Sequence, residues 1–128
     1  IRGSISSPNI VRSGTEAMMD LAAWYSDNDV PKALLQVGGG ISGDFVICVV
    51  PMLEQDMGLN VQKWSWFGQI TDATASYGGY SGAFPQEKIS WGKIDHTAPR
   101  FSVQSDASIV LPLILSSLVL RRGDSDLS

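Results

Sequence analysis

Glu87, Trp91 and Lys93 stand within seven residues of one another and offer a carboxylate, a flat aromatic wall and a primary amine. An amine of this kind forms an imine with an electrophilic carbon only after losing its proton. Desolvation, of the sort an adjacent indole supplies, favours that neutral form. Composition alone allows the plainer alternative of a solvated surface lysine near a strand end.

Upstream, Gly38, Gly40 and Gly43 satisfy the spacing G-x-G-x-x-G between an expected strand and an expected helix. Backbone amides in such a turn can cradle an anionic group. A tight strand-to-helix turn without a ligand is the alternative, because the acidic residue that normally follows about 20 positions later has no clear counterpart. Glu54 and Asp56 fall inside the next expected helix. The run Ser76-Tyr77-Gly78-Gly79-Tyr80-Ser81-Gly82 places two phenols on a glycine backbone. Its loop is longer than a connector requires, which suits either a ligand loop or an aromatic surface loop. Asp106 precedes an apolar run and is first of all an N-cap. His96, in Asp95-His96-Thr97, reads as a surface residue, and Cys48, inside an apolar segment, as an inert core residue.

These residues need a scaffold. Apolar residues from Val11 to Tyr25 recur at spacings of mostly three or four, predicting a helix near 9–27. Ala33 to Val37 reads as a short strand, broken by Gly38-Gly39-Gly40. A helix capped by Ser42 or Asp44 should run to Met57 and stop at Gly58, with a kink at Pro51. Lys63 to Thr71 suits a buried strand, Asp72 to Gln86 a long loop, Arg100 to Gln104 another strand, and Ala107 to Leu120 a final helix. This order predicts an α/β fold with a parallel sheet flanked by helices. Three strands make only part of a doubly wound, Rossmann-like sheet, so the chain reads as one half of something.

A chain of 128 residues allows one domain, and its 44% hydrophobic content allows a real core. Nine Lys and Arg against thirteen Asp and Glu, with no basic stripe beyond Arg121-Arg122, disfavour nucleic-acid binding. One cysteine and one histidine exclude a disulfide framework and a structural zinc. The most apolar stretch, Ile109 to Leu120, is too short for a membrane span of roughly 20 residues and is expected to be a buried helix. No signal peptide is visible, so a cytoplasmic location is expected. The start at Ile1, without methionine, suggests a processed or partial chain.

Glu87 to Lys93 reads E-K-I-S-W-G-K, and Ser105 onward reads S-D-A-S-I-V-L-P-L. Together with Gly38-Gly39-Gly40 and Ser81-Gly82-Ala83, these runs resemble the carboxyl-terminal part of the deoxyhypusine synthase family over residues 33 to 120. The resemblance implies an NAD-dependent enzyme that oxidises spermidine, forms an imine between the aminobutyl group and its own lysine, and passes that group to an acceptor amine. Lys93 matches the imine-forming lysine, Trp91 the aromatic of the polyamine channel and Glu87 the carboxylate that holds a substrate ammonium. Gly78, Gly79 and Tyr80 match the substrate loop, although eukaryotic members carry an aspartate where Tyr80 stands. The cofactor pattern falls on Gly39, on Asp72 and Ala73, and on Asp106 and Ala107.

After the glycine run the family carries a lysine and histidines, whereas this chain has Ser42-Gly43-Asp44. Asp44 takes the place of the proton-moving histidine and can accept a proton if burial raises its pKa. The pattern is closer to the bacterial deoxyhypusine synthase-like group, and this resemblance implies an acceptor that is either a free diamine, giving homospermidine, or a protein lysine, with the diamine favoured. The family's amino-terminal half supplies much of the NAD pocket and a further polyamine carboxylate. The expected partners are therefore a missing or separate amino-terminal half and other subunits, in a homotetramer with no nucleic acid and no membrane. A non-catalytic structural or regulatory subunit of such an assembly is the alternative function.

Overall fold

A computed structural model describes residues 11–74 and 83–125 of the chain. Helix α1 (Gly14–Ser26) leads into strand β1 (Ala33–Val37), which is followed by α2 (Ile41–Ile47), the short α3 (Val49–Pro51) and a π-helical turn (Met52–Asp56). Strand β2 (Trp66–Thr71), helix α4 (Pro85–Ser90), strand β3 (Arg100–Gln104) and helix α5 (Ala107–Ser125) complete the order. The three strands form one parallel sheet in the order β1-β2-β3, so the expected α/β architecture of a partial parallel sheet flanked by helices is what the chain adopts.

Register decides what faces what. Gln36 lies opposite Gln69, and Leu35 opposite Gly68, which in turn pairs with Phe101. The ring of Phe101 lies over Gly68, where an added Cβ would come within 2.6 Å of it, and meets Trp66 edge-on at 5.5 Å. On the opposite face Leu34 and Phe67 join Ile47, Val49, Val50, Leu53, Trp64 and Ile94 in the core. Tyr25 of α1 seals that core against Trp64, ring centroids 4.9 Å apart, and its hydroxyl donates to the Gln62 carbonyl at 2.7 Å. Helix and sheet are thereby joined by burial and by one satisfied polar tip.

Several element boundaries differ from the sequence expectation for identifiable reasons. Helix α1 starts at Gly14 because Ser13 and Glu16 form a reciprocal capping box; residues 11–13 are not helical. The helix after the glycine run is capped by Gly40, not by Ser42 or Asp44. It is also not one helix: Pro51 lacks the N–H needed to continue the ladder, and the chain proceeds through a π-type bond from the Met57 amide to the Met52 carbonyl before Gly58, at φ 66°, stops it.

Two further corrections concern helices. The segment expected as loop up to Gln86 turns helical at Pro85 and stays so to Ser90. Helix α5, expected to be buried, carries Ile109, Leu113, Leu115, Leu118, Val119 and Leu120 exposed, because among the described residues it leans chiefly on β2. Leu35 and Val37 of β1 are likewise exposed. An uncovered apolar surface of this kind marks an interaction face.

Candidate active site

Helix α4 explains the E-K-I-S-W-G-K run. Pro85 occupies the first turn, where its missing N–H costs nothing, and Glu87 Oε2 accepts the Phe84 amide at 3.0 Å. At the other end Gly92 takes the left-handed conformation, φ 72°, that closes a Schellman motif. Its amide donates to the Ile89 carbonyl at 2.9 Å, and the Lys93 amide donates to the Lys88 carbonyl at 3.2 Å. The Lys93 carbonyl then accepts the Trp64 amide, 3.4 Å. The backbone of Lys93 is thus fixed from both sides, which aims its side chain into the protein.

Lys93 is only 7% exposed. Its Nζ stands 5.1 Å from the centroid of the half-exposed Trp91 ring and 3.4 Å from Cys48 Sγ. The amine is therefore roofed by the indole that the sequence placed beside it. Cys48, at the end of α2, packs against the core as expected and also touches that amine. Asp44, from the first turn of α2, completes the group. Its Oδ1 is shielded from solvent and has no hydrogen-bond partner among the described residues. Burial pushes the carboxyl pKa up, against the downward pull of the Lys93 and Lys88 charges.

Lys88 is the residue that sequence reasoning missed. It is fully buried, and its ammonium donates to Gln36 Oε1 at 2.6 Å and Gln69 Oε1 at 2.9 Å, above the face of Phe67 at 4.5 Å. Gln36 Nε2 in turn donates to the Gly38 carbonyl at 2.9 Å, tying this cation to the glycine turn. The third glycine of G-x-G-x-x-G makes the arrangement possible, because a Cβ on Gly43 would collide with the Gln36 carboxamide. Burial lowers the Lys88 pKa to about 8, with Asp44 opposing the shift and Lys93 adding to it. Pro85, Glu87 and Gly92 together were the sequence signal for α4, and with it for a lysine on its inner face.

Glu87 is exposed, with its carboxylate engaged by the Phe84 amide, and so lies on the outer side of the helix whose inner side carries Lys88. His96 is exposed, as expected. Gly39, Asp72 with Ala73, and Asp106 with Ala107 follow the carboxyl ends of β1, β2 and β3, so three successive strand ends bring the cofactor candidates to one edge of the sheet. Asp106 Oδ1 accepts the Ser108 amide at 2.8 Å and its hydroxyl at 2.7 Å, bonds that hold its carboxyl below the usual range. It is the N-cap that the sequence predicted, and it remains at the surface. Gly78, Gly79 and Tyr80 lie outside the described residues.

A dinucleotide fits this edge. The glycine turn has positive φ at Gly38 and Gly40, leaving the backbone open to close approach, and Asp72 and Asp106 present exposed carboxylates at the ends of the next two strands. Among the described residues no helix is long and apolar enough to cross a membrane.

Comparison with known proteins adds a family. The family model described as deoxyhypusine synthase matches residues 16–118. A deoxyhypusine synthase-like protein of Thermosynechococcus vestitus is 36% identical over 92% of this chain and 30% of its own length. Another from Cyanothece is 37% identical over 80% of this chain and 27% of its own. A probable deoxyhypusine synthase of Pyrobaculum calidifontis is 40% identical over 67% and 26%. The chain thus spans about three tenths of the length of the curated relatives it matches.

Proposed function

The chain belongs to the deoxyhypusine synthase family, and from that premise we propose that it carries the imine-forming part of an NAD-dependent aminobutyl transferase acting on spermidine. The observation that carries the reading is Lys93: a buried primary amine beneath Trp91 and beside a carboxyl whose pKa burial has raised. Such an amine is poised to react with an electrophilic carbon and to hand its proton to a neighbour.

In this proposal Gly39, Asp72, Ala73, Asp106 and Ala107 hold NAD, which when bound accepts a hydride from spermidine. Lys93 adds through its neutral amine to the oxidised carbon of the aminobutyl group. The C–N bond to the rest of the polyamine breaks, 1,3-diaminopropane leaves, and the aminobutyl group stays on Lys93 as an imine. Asp44 takes the proton that the attacking nitrogen sheds and returns it to the departing nitrogen, which leaves as the amine of 1,3-diaminopropane. Trp91 excludes water and packs on the polyamine chain, while Glu87, with Gly78, Gly79 and Tyr80, receives the cationic end. Asp44 and Tyr80 change the substrate-facing pattern, which favours a free diamine over a protein lysine as acceptor.

The exposed apolar faces of α5 and β1 suit burial against the remaining part of the relatives' length, supplied by an amino-terminal portion and by further subunits in a homotetramer. Borohydride trapping tests the reading. The chain, assembled with the amino-terminal portion of a relative and given spermidine and NAD, should gain an aminobutyl adduct on Lys93. An assembly that oxidises spermidine with no adduct on Lys93 refutes the assignment.

A further inference from the structure

Gln36 and Gln69 stand opposite each other in β1 and β2, buried to 2% and 1% exposure. A carboxamide on the strand face that also buries Leu34 is costly unless both of its ends are bonded. For Gln36 both are. Oε1 accepts from Lys88 Nζ at 2.6 Å, and Nε2 donates to the Gly38 carbonyl at 2.9 Å. Lys88 decides which way round the carboxamide sits. In either protonation state its amine offers at least two N–H donors, one for Gln36 Oε1 and one for Gln69 Oε1, and Nε2 is then the end that turns to Gly38.

Gly38, at φ 99°, is also held from the other side, because its amide donates to the Ile70 carbonyl at 2.8 Å. In a trans peptide the carbonyl and the following N–H point in opposite directions. A Gly38 carbonyl drawn toward the buried carboxamide therefore directs the Gly39 amide away from it. Ser42 repeats the arrangement one residue on, its hydroxyl donating to the Gly39 carbonyl at 3.0 Å.

We propose that Gln36 is a positioning residue for the dinucleotide and that Lys88 holds it in place: the relay from Lys88 through Gln36 to Gly38 fixes the peptide whose other end, the Gly39 amide, faces the cofactor. The proposal rests on the dinucleotide reading of the glycine turn given above. Gly43 belongs to the same device, because its missing Cβ leaves room for the Gln36 carboxamide.

The experiment compares two matched variants. Gln36→Met and Gln69→Met each keep the side-chain length and each remove one acceptor from Lys88, and of the pair it is Gln36 that reaches the glycine turn. In the full chain without cofactor, amide NMR should show the Gly39 resonance shifted and its proton exchanging faster in Gln36→Met and in Lys88→Met, with Gln69→Met close to wild type. In the chain assembled with the amino-terminal portion of a relative, calorimetry should show Gln36→Met raising the NAD dissociation constant roughly three- to tenfold, as the loss of one neutral hydrogen bond does, and Gln69→Met changing it little. A purely structural pair of glutamines predicts equal effects of the two variants. Equal effects, or an unmoved Gly39 amide in folded Gln36→Met or Lys88→Met, overturn the proposal. Gln36→Glu keeps the acceptor for Lys88 and loses the donor to Gly38, and it decides by the same Gly39 signal should the Met variants fail to fold. A wild-type assembly that binds no NAD would overturn the dinucleotide reading and this role with it, while the Gly39 spectrum would still report whether Gln36 sets the turn.

Discussion

The Lys93 amide donates to the Lys88 carbonyl across Gly92, so the two buried amines of the site flank a single left-handed glycine. Helix α4 sets where Lys88 points, and this turn sets the backbone from which Lys93 points. Gly92→Ala places a Cβ at φ 72°, at a cost of about 1 to 2 kcal/mol. Lowered stability in denaturant unfolding is expected, together with slower aldehyde labelling of Lys93 relative to Lys32. Labelling of Lys93 at the native rate in the destabilised variant would show that the turn stabilises the fold without aiming the amine.

Gly43 makes a separable prediction. Its missing Cβ is the space through which the Gln36 carboxamide reaches Lys88. Gly43→Ala overpacks this contact and should cost roughly 1 to 3 kcal/mol. Much of that cost should vanish when Gln36→Ala is present, because the two residues then no longer compete for the same volume. A double-mutant cycle from chemical denaturation measures the coupling, and additive effects would mean that the strain falls elsewhere.

Lys88 and Tyr25 give stability an alkaline signature with two opposing limbs. Lys88 has its pKa lowered from the ordinary 10.5 to about 8 by burial, so between those values the unfolded chain binds the extra proton. Stability contributed by this residue therefore rises with pH across that window, by roughly 2 kcal/mol after discounting for solvent screening. Tyr25 has its pKa pushed well above the ordinary 10 by burial and by the Glu54 charge, so above pH 10 the unfolded phenol ionises first and stability falls. Unfolding free energies from pH 7 to 11 should thus rise and then turn down. Lys88→Met should flatten the rise and Tyr25→Phe the fall, the latter also losing about 1 kcal/mol with the Gln62 hydrogen bond.

Strands β1 and β3 were legible to the residue, because Ala33–Val37 and Arg100–Gln104 are short apolar or alternating runs bounded by Pro and Gly or Ser-Asp. The parallel topology followed from the alternation of elements. Helix α4 was not legible from periodicity: at six residues it is too short to show a stripe, and only its end signals, Pro85, Glu87 and Gly92, betray it. Missing the helix meant missing Lys88. Gln36 and Gln69 were hidden for a different reason, since polar residues inside strands normally face solvent, and only pairing brings them opposite each other beneath a buried cation. The exposure of α5 could not be read from its composition, because an apolar run reports what must be covered and not which chain covers it.

Glu87 carries two assignments that one substitution separates. Its carboxylate accepts the Phe84 amide as a helix cap, and the proposed function gives it the substrate ammonium. Glu87→Gln keeps an oxygen acceptor for the amide, so the fold should change little, by a few tenths of a kcal/mol. Loss of the charge should weaken spermidine binding to the assembled enzyme by roughly 1.5 to 3 kcal/mol, with NAD affinity nearly unchanged, as calorimetry can read directly. Lys93→Ala should behave in the opposite way, abolishing aminobutyl transfer while spermidine binding and NADH formation remain detectable. Normal spermidine binding by Glu87→Gln would reduce Glu87 to its capping role, and transfer surviving in Lys93→Ala would remove the lysine from the chemistry.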